Sequence, residues 1–297
     1  MIGLASVVVI PFAGALFGAA GAHLLPDRMR PAVATRIVTA FVVVSAAAVL
    51  WALVLISVAT TVEIHGIAER VPWCNDYLRN HSDHPTWIGA LAAFLLIASV
   101  AAGARVIRRH RLLRAHGSNG GIAVLPSPNP TAFALPGRPG QIVVSRGMLQ
   151  LLDGNERRAL LAHERAHLDL HHHRYLRAAE LAGGFIPLLR PFVNRVRLAT
   201  ERWADEEAAQ EVGDRHLVAR ALARSALAQP DVHVGLLAMS DTGVVQRVEA
   251  LLRPPPPTRR VTESGFAIAA TCAALLLLGS VEQVHHWLGY MLGLCRL

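Results

Sequence analysis

Lysine is absent from this sequence of 297 residues, so arginine supplies all 29 of its basic side chains. Charged residues are scarce as well: they make up 17% of the chain, against about a quarter in typical soluble domains. Only three cysteines occur, and no Cys-x-x-Cys pair is among them. The sequence therefore argues against a zinc site built on paired thiolates and against an ordinary soluble protein. The replacement of lysine by arginine indicates a GC-rich, bacterial genome.

Apolar residues make up 53% of the chain and are concentrated in four blocks that are almost free of charge. The first three reach the roughly 20 residues that a helix needs to cross the hydrocarbon core of a bilayer. The fourth is shorter, because Glu282, His285 and His286 interrupt it. We therefore expect about four transmembrane helices, with bounds near 1–25, 37–62, 87–106 and 265–281.

Arginine clusters flank these blocks and predict the orientation of the chain. They lie between the first two blocks, in RVIRRHRLLR after the third, and in RPPPPTRR before the fourth. This side is predicted to face the cytoplasm, so the formal charge of +8 indicates membrane topology and not direct nucleic-acid binding. An outer loop at 63–86 contains Cys74, and Cys295 is expected on the same side. Whether these two cysteines form a disulfide stays open.

The chain is thereby divided into three parts and is predicted to cross the plasma membrane several times. The expected fold class is mainly α: a multi-spanning membrane protein with a cytoplasmic α+β domain that contains a small β-hairpin or sheet. The parts are a membrane region at 1–107, the cytoplasmic domain at 108–264, and the fourth transmembrane helix with a short outer tail at 265–297.

The cytoplasmic domain begins with a strand pattern and continues with helices. Two short strands are expected at 131–135 and 141–145, on either side of a Pro/Gly turn. Asp153 or Asn155 can cap a helix that then continues through His173. A second helix carries RLATERWADEEAAQEV, and the apolar stretch between the two helices is too short to cross a bilayer.

The strongest chemical signal is the sequence HERAH, which begins at His163. Positions i and i+4 share one face of a helix, so His163 and His167 can direct two imidazoles at one metal ion. Glu164 lies one position further around the helix, where a general base can take a proton from a water activated by zinc. A chain with 15 histidines can also produce such a match by chance, so a third protein ligand is required.

The candidate third ligand is Glu201, in the stretch ERWADEEA on the second helix. Helical spacing places Asp205 on the same face, from where it could accept the N–H of a ligand histidine and fix its tautomer. The alternative is an acidic solvated face, because three more glutamates follow closely. The small residues Ala204 and Ala208 allow close packing of this helix, which favours the ligand interpretation.

HExxH followed by ExxxD, with a strand pair before the first helix, resembles the membrane gluzincins. These include the BlaR/MecR antirepressor-type peptidases and the HtpX/Ste-type peptidases. The resemblance implies one catalytic zinc ion, with His163, His167 and Glu201 as ligands, Glu164 as the base and Asp205 as the supporting aspartate. No span fits between His167 and Glu201, so the layout is more similar to the BlaR/MecR type.

Two features depart from these families. They often carry an aspartate five residues after the second histidine, where this chain has His172. BlaR/MecR sensors carry a penicillin-binding domain after the last span, which is not expected here. The histidines at 171–173 are expected at a solvated helix end, with a second metal site as the alternative. An oxyanion donor could come from His216 or Tyr175, and the sequence does not choose between them.

The predicted function is a membrane zinc metalloendopeptidase that hydrolyses a cytoplasmic protein, in regulated signalling such as cleavage of a transcriptional repressor. The expected partners are a protein or peptide substrate and the lipid bilayer, and a homo-oligomer stays open. An exposed edge strand, at 131–135 or 141–145, could bind extended peptide, and the alternative is a strand pair with a purely structural role. The alternatives are a quality-control protease of the HtpX type and a non-catalytic signalling component. Structural zinc normally has four protein ligands, which argues against the last.

Overall fold

The computed structural model describes residues 29–64, 86–113, 120–228 and 237–254. Helices predominate there, and three strands form one small mixed sheet. The expectation of a mainly helical protein with a small sheet is therefore confirmed. The first and fourth predicted transmembrane helices, most of the outer loop and the three cysteines lie outside the described residues. The predicted boundaries between the three parts of the chain stay predictions.

Two long apolar helices correspond to the second and third predicted spans: α1 (Pro31–Ile64) and α2 (Thr86–Leu113). Within them, Pro31–Val54 and Trp87–Arg109 are long and apolar enough to cross a membrane, with mean hydropathies of 2.6 and 2.1. Half of the first segment is buried against the rest of the protein, whereas α2 exposes large side chains such as Trp87, Phe94 and Ile97. An exposed apolar face of this kind suits contact with lipid.

The remaining described residues form the sheet and a group of shorter helices. The strands are β1 (Gly121–Leu125), β2 (Ala132–Leu135) and β3 (Gln141–Ser145). The helices are α3 (Arg146–Leu151), α4 (Gly154–Asp169), α5 (His172–Phe185), α6 (Arg190–Val212), α7 (Arg215–Leu227) and α8 (Leu237–Leu252). A short 3-10 turn, Pro187–Leu189, joins α5 to α6.

The sheet has the strand order β1–β3–β2, with β3 parallel to β1 and antiparallel to β2. Three consecutive residues of the central strand are buried: Ile142, Val143 and Val144. Both predicted strands are present within a residue of their expected bounds, and β1 is an additional strand. Because β3 is central in the described sheet, the strand at 141–145 is not an edge. The edge that packs beside α4 is β2.

The helix predicted to continue through His173 ends at Asp169, so that prediction is wrong. Asp153 caps α4 and forms a capping box with Glu156. At the other end, His171 adopts the left-handed conformation with φ of 55°, and its backbone N–H donates to the Leu168 carbonyl. A left-handed residue ends a helix and lets the chain leave in a new direction. The next helix, α5, therefore starts at His172.

The α5–α6 hairpin packs against both long apolar helices. Residues of α1, α5 and α6 share one buried apolar cluster, in which the rings of Phe41 and Phe192 are 5.1 Å apart. Close approach to α2 depends on glycines. A Cβ at Gly184 would come within 2.7 Å of the Val106 side chain. The apolar stretch between the two predicted site helices is thus a packed core and not a further span.

A second apolar cluster joins α4, α6, α7 and α8, and it is built largely from small residues. Ala159 and Ala162 of α4 and Ala204 and Ala208 of α6 are almost completely buried. Small side chains allow two helix backbones to approach closely, as the sequence predicted for Ala204 and Ala208. This packing holds the HERAH face of α4 opposite the ExxxD face of α6.

Gly147, in the first turn of α3, has no room for a larger side chain, and this predicts an effect on stability. A Cβ at Gly147 would collide with the backbone carbonyl of Pro128, whereas a Cβ at Gly154 would meet nothing within 4 Å. We expect Gly147→Ala to lower the free energy of unfolding by about 1–3 kcal/mol, because the backbone must move. Gly154→Ala, the matched control, should leave it unchanged or raise it slightly. Thermal unfolding in detergent measures both, and equal melting temperatures would contradict the prediction.

Candidate metal centre

Three potential ligand atoms converge between α4 and α6. His163 and His167 lie one turn apart on α4, and their Nε2 atoms are 3.1 Å apart. Glu201 faces them from α6, with Oε2 at 3.5 Å from Nε2 of His163 and Oε1 at 3.6 Å from Nε2 of His167. The structure thus brings together the three residues that the sequence predicts as ligands.

The spacing of these atoms fits a tetrahedral ion. Bonds of roughly 2.0–2.1 Å from zinc to nitrogen and oxygen place tetrahedral ligand atoms about 3.3–3.4 Å from one another. The two imidazole nitrogens are 3.1 Å apart, and each lies near a different oxygen of Glu201, at 3.5 and 3.6 Å, so the three residues are close enough to bind one ion. Two imidazoles and one carboxylate form a known catalytic zinc set, which leaves a fourth position for water or substrate.

Asp205 holds one of the two imidazoles. It lies one turn after Glu201 on α6, is almost fully buried, and its Oδ1 is 3.0 Å from Nδ1 of His163. A carboxylate at this distance accepts the Nδ1–H, so once His163 is neutral its lone pair is on Nε2, the atom that faces Glu201. The structure therefore places Asp205 where the sequence expected a supporting aspartate.

Arg247 of α8 completes the cluster, and the sequence did not predict it. Its Nε and Nη2 atoms donate to the two oxygens of Asp205 at 2.8 and 2.7 Å. Its Nη1 atom lies 3.0 Å from Oε2 of Glu201. One guanidinium therefore pairs with both carboxylates. No local spacing could reveal this contact, because Arg247 lies on a different helix, far from Glu201 along the chain.

The charges of the cluster are strongly coupled. Burial opposes protonation of His163, but hydrogen bonds to Asp205 and Glu201 outweigh burial and raise its pKa to about 10. Burial dominates for His167 and lowers its pKa to about 4. Burial alone would raise the pKa of Glu201, but the hydrogen bond from His163 and the charge of Arg247 hold it well below its usual range. At neutral pH the cluster therefore carries ionised carboxylates, a neutral His167 and a proton on His163.

Glu164 stands beside the ligands in the position of a general base. Its side chain is buried, and this burial raises the pKa of its carboxyl above the ordinary value. The charge of His163 and the backbone N–H of Ala134, on the edge strand β2, oppose that rise. A carboxylate whose pKa is moved towards neutrality can both accept and return a proton efficiently.

A cleft of about 220 Å³ opens onto the cluster. Its polar wall is formed by His163, Glu164, Glu201, Asp205 and Arg247. Its other walls are mainly apolar, from β2, α3, α4 and α7: Ala132, Met148, Ala159, Leu160, Val218, Ala221, Leu222 and Ser225. The cleft therefore places an apolar recess directly beside the candidate metal ligands.

His172 occupies a different environment from the one expected. It is fully buried at the start of α5, not at a solvated helix end, because α4 ends before it. Its Nδ1 atom is 3.0 Å from Nδ1 of His167, and its ring centroid is 4.9 Å from that of Trp203. Burial lowers the pKa of His172 to about 3, so its ring is neutral.

Neither predicted oxyanion donor lines the described cleft. Tyr175 packs at the margin of the apolar cluster shared with α1, and its ring lies 6.1 Å from Trp203. His216 is exposed in the first turn of α7. The role therefore stays a prediction for both. Among the described residues, the histidines at 171–173 do not form a second group of metal-binding side chains.

A helix that bears HExxH, faces a glutamate from a second helix and follows a small mixed sheet is an arrangement that suits a metallopeptidase. Residues 101–182 match the model of peptidase family M48, a zinc-dependent family. The match covers less than a third of the chain, and it supports an M48 metallopeptidase. It includes His163, Glu164 and His167 but ends before Glu201, so the glutamate rests on geometry alone. No curated protein and no solved structure matches the chain.

The affinity for zinc should depend on pH through the deprotonation of one side chain, His163. His163 has a pKa of about 10 and must lose a proton to bind zinc, whereas His167 and Glu201 are already deprotonated at neutral pH. The apparent Kd for zinc should therefore fall about tenfold per pH unit between about pH 6 and pH 8. Competition with a chromophoric chelator measures this slope. Asp205→Asn removes the main support of the raised pKa and should flatten it. A wild-type slope of zero or two would refute the assignment.

Removal of the guanidinium should weaken both the fold and the site. Arg247→Met leaves the buried carboxylate of Asp205 and the partly buried carboxylate of Glu201 without their cation, and breaking a buried ion pair typically costs about 3–5 kcal/mol of unfolding free energy. We expect a lower melting temperature and weaker zinc binding. Arg253→Met is the matched control, because Arg253 is exposed and pairs with Glu249 in the preceding turn of α8. Indistinguishable melting temperatures for the two variants would show that Arg247 has no such role.

Proposed function

We propose that this chain is an integral-membrane zinc metalloendopeptidase that hydrolyses peptide bonds of a cytoplasmic protein. The observation that carries the proposal is the convergence of His163, His167 and Glu201, whose ligand atoms lie within 4.8 Å of one another, with Glu164 beside them in a cleft. The match of residues 101–182 to a peptidase family supports the same reaction class.

The chemistry divides between the ion and the side chains around it. Zinc held by the three ligands would act as a Lewis acid, polarising the scissile carbonyl and making water acidic enough to attack near neutral pH. Glu164 takes the proton of the attacking water on its carboxylate and then delivers it to the nitrogen of the leaving amine. Asp205 keeps the Nδ1–H of His163 in place, so that Nε2 remains directed at the site.

The geometry around the cleft supports an extended substrate with an apolar side chain. The edge strand β2 contributes Ala132 to the cleft wall, and an unpaired strand edge can bind a peptide as an additional strand. The side chains of Val218, Ala221 and Leu222 would surround one residue of that peptide. An apolar residue next to the scissile bond therefore fits better than a charged one.

The proposed location follows from the two apolar helices of the described residues. Both α1 and α2 are long enough to cross a bilayer, and the arginines at the C-terminal end of α2 favour a cytoplasmic position for the sheet and the cleft. The connection between His167 and Glu201 contains no candidate span among the described residues. That short connection supports the BlaR/MecR-type layout, and with it regulated cleavage of a transcriptional repressor. Clearance of misfolded membrane proteins, as in the HtpX type, is the alternative.

The substitution Glu164→Gln tests the catalytic assignment. It keeps the size of the side chain but removes the base, so we expect zinc binding to persist and peptide hydrolysis to fall about 10²–10⁴-fold. Hydrolysis of a library of peptides with apolar residues, by purified protein in detergent, measures the effect. Glu211→Gln is the matched control, because Glu211 is exposed on α6 and pairs with Arg165. Undiminished hydrolysis by the Glu164→Gln protein would overturn the proposal.

The cellular role is tested with the same variant. Comparative proteomics of membrane and cytosol, in cells that contain the wild-type or the Glu164→Gln protein, reports what accumulates when hydrolysis is lost. Accumulation of one intact DNA-binding protein supports the signalling role. Accumulation of many membrane proteins supports the quality-control alternative. Zinc binding without any proteolysis that depends on Glu164 would favour a non-catalytic component.

A further inference from the structure

His167, the second candidate zinc ligand on α4, contacts a histidine through its Nδ1 atom, whereas His163 contacts a carboxylate there. Nδ1 of His172 lies 3.0 Å from Nδ1 of His167, and the two rings meet edge to face with centroids 4.9 Å apart. This contact exists because α4 ends at Asp169 and the left-handed residue His171 turns the chain back. The first residue of α5 is thereby placed against the ligand helix.

The number of protons between these two nitrogens is fixed by chemistry. Two neutral imidazole nitrogens at hydrogen-bonding distance share one proton, which is carried by one ring or the other. Nε2 of His167 is the atom that faces His163 and Glu201, so it must carry a lone pair to bind a metal. The proton of His167 then has to be on Nδ1, and Nδ1 of His172 must accept it.

We propose that His172 is a positioning residue of the zinc site, whose Nδ1 accepts the Nδ1–H of His167 and directs the Nε2 lone pair of His167 at the metal. The proposal rests on the zinc metallopeptidase function proposed above. In this proposal the two histidine ligands, His163 and His167, have different hydrogen-bond partners. An ionised carboxylate supports His163, whereas a neutral ring supports His167.

The surroundings of His172 hold its ring in this orientation. The ring is fully buried and packs at 4.9 Å, centroid to centroid, against Trp203, whose own Nε1 donates to Glu207 at 3.0 Å. With Nδ1 as the acceptor, the proton of His172 is on Nε2, which has no hydrogen-bond partner among the described residues. The whole arrangement selects one tautomer for each ring.

Two variants separate the hydrogen bond from simple packing. Asn carries its Oδ1 on Cγ, as His carries Nδ1, so His172→Asn retains an acceptor at nearly the same place. His172→Phe retains the ring and its contact with Trp203 but removes the acceptor. Loss of such a partner typically weakens metal binding about 10–100-fold. We therefore expect His172→Phe to raise the apparent Kd for zinc by that factor and His172→Asn to change it only a few-fold.

The measurement is zinc affinity by chelator competition, with the purified full-length chain in detergent and with melting temperatures for each variant. His171→Asn is the control, because His171 is exposed and Asn tolerates its left-handed backbone. Wild-type zinc affinity in His172→Phe, or a greater loss in His172→Asn than in His172→Phe, would show that the ring serves packing only and overturn the proposal. Absence of zinc binding by the wild-type protein would instead remove the proposed function itself.

Discussion

The structure of the site depends on the close packing of α4 against α6. Alanines at 159 and 162 on one helix, and at 204 and 208 on the other, bring the two backbones near enough for side chains of both helices to share one ion. The imidazoles of α4 and the carboxylate of α6 then converge, with their ligand atoms within 4.8 Å of one another. Larger residues in this contact would move the helices apart, and the ligand set would exist in the sequence without forming a site.

Charge balance explains why the same site suits a cation. Glu201 and Asp205 are both ionised, and Arg247 compensates only one of these negative charges. The remaining negative charge is what retains a proton on His163 and raises its pKa. Such a proton occupies the place where a metal ion would bind, so zinc replaces a positive charge that the fold already stabilises. Arg247 is needed because, without its cation, the carboxylates of Glu201 and Asp205 would repel each other and destabilise the packing of α6 against α4.

The predictability of each feature follows from the range of the interactions that determine it. The pairs His163/His167 and Glu201/Asp205 were predictable because i and i+4 spacing acts within single helices, and β2 and β3 were marked by a Pro/Gly turn. By contrast, β1 pairs in parallel with a strand further along the chain, without a hairpin signal. Arg247 and the helix break at His171 depend on tertiary contacts, so the position of His172 behind His167 could not be inferred from the sequence. The first and fourth predicted transmembrane helices lie outside the described residues.

The helices α5 and α6, next to the site, pack directly against the long apolar helices α1 and α2. Trp203 packs against His172 on one side, and the guanidinium of Arg36, on α1, lies 5.1 Å from its ring centroid. The hairpin of α5 and α6 also fits against α2 at glycines that leave no space for adjustment. Close-packed contacts of this kind transmit displacement, because sliding one helix opens gaps or creates collisions. Movement of α1 relative to α6 would therefore be transmitted through four packed side chains, from Arg36 through Trp203 and His172 to His167.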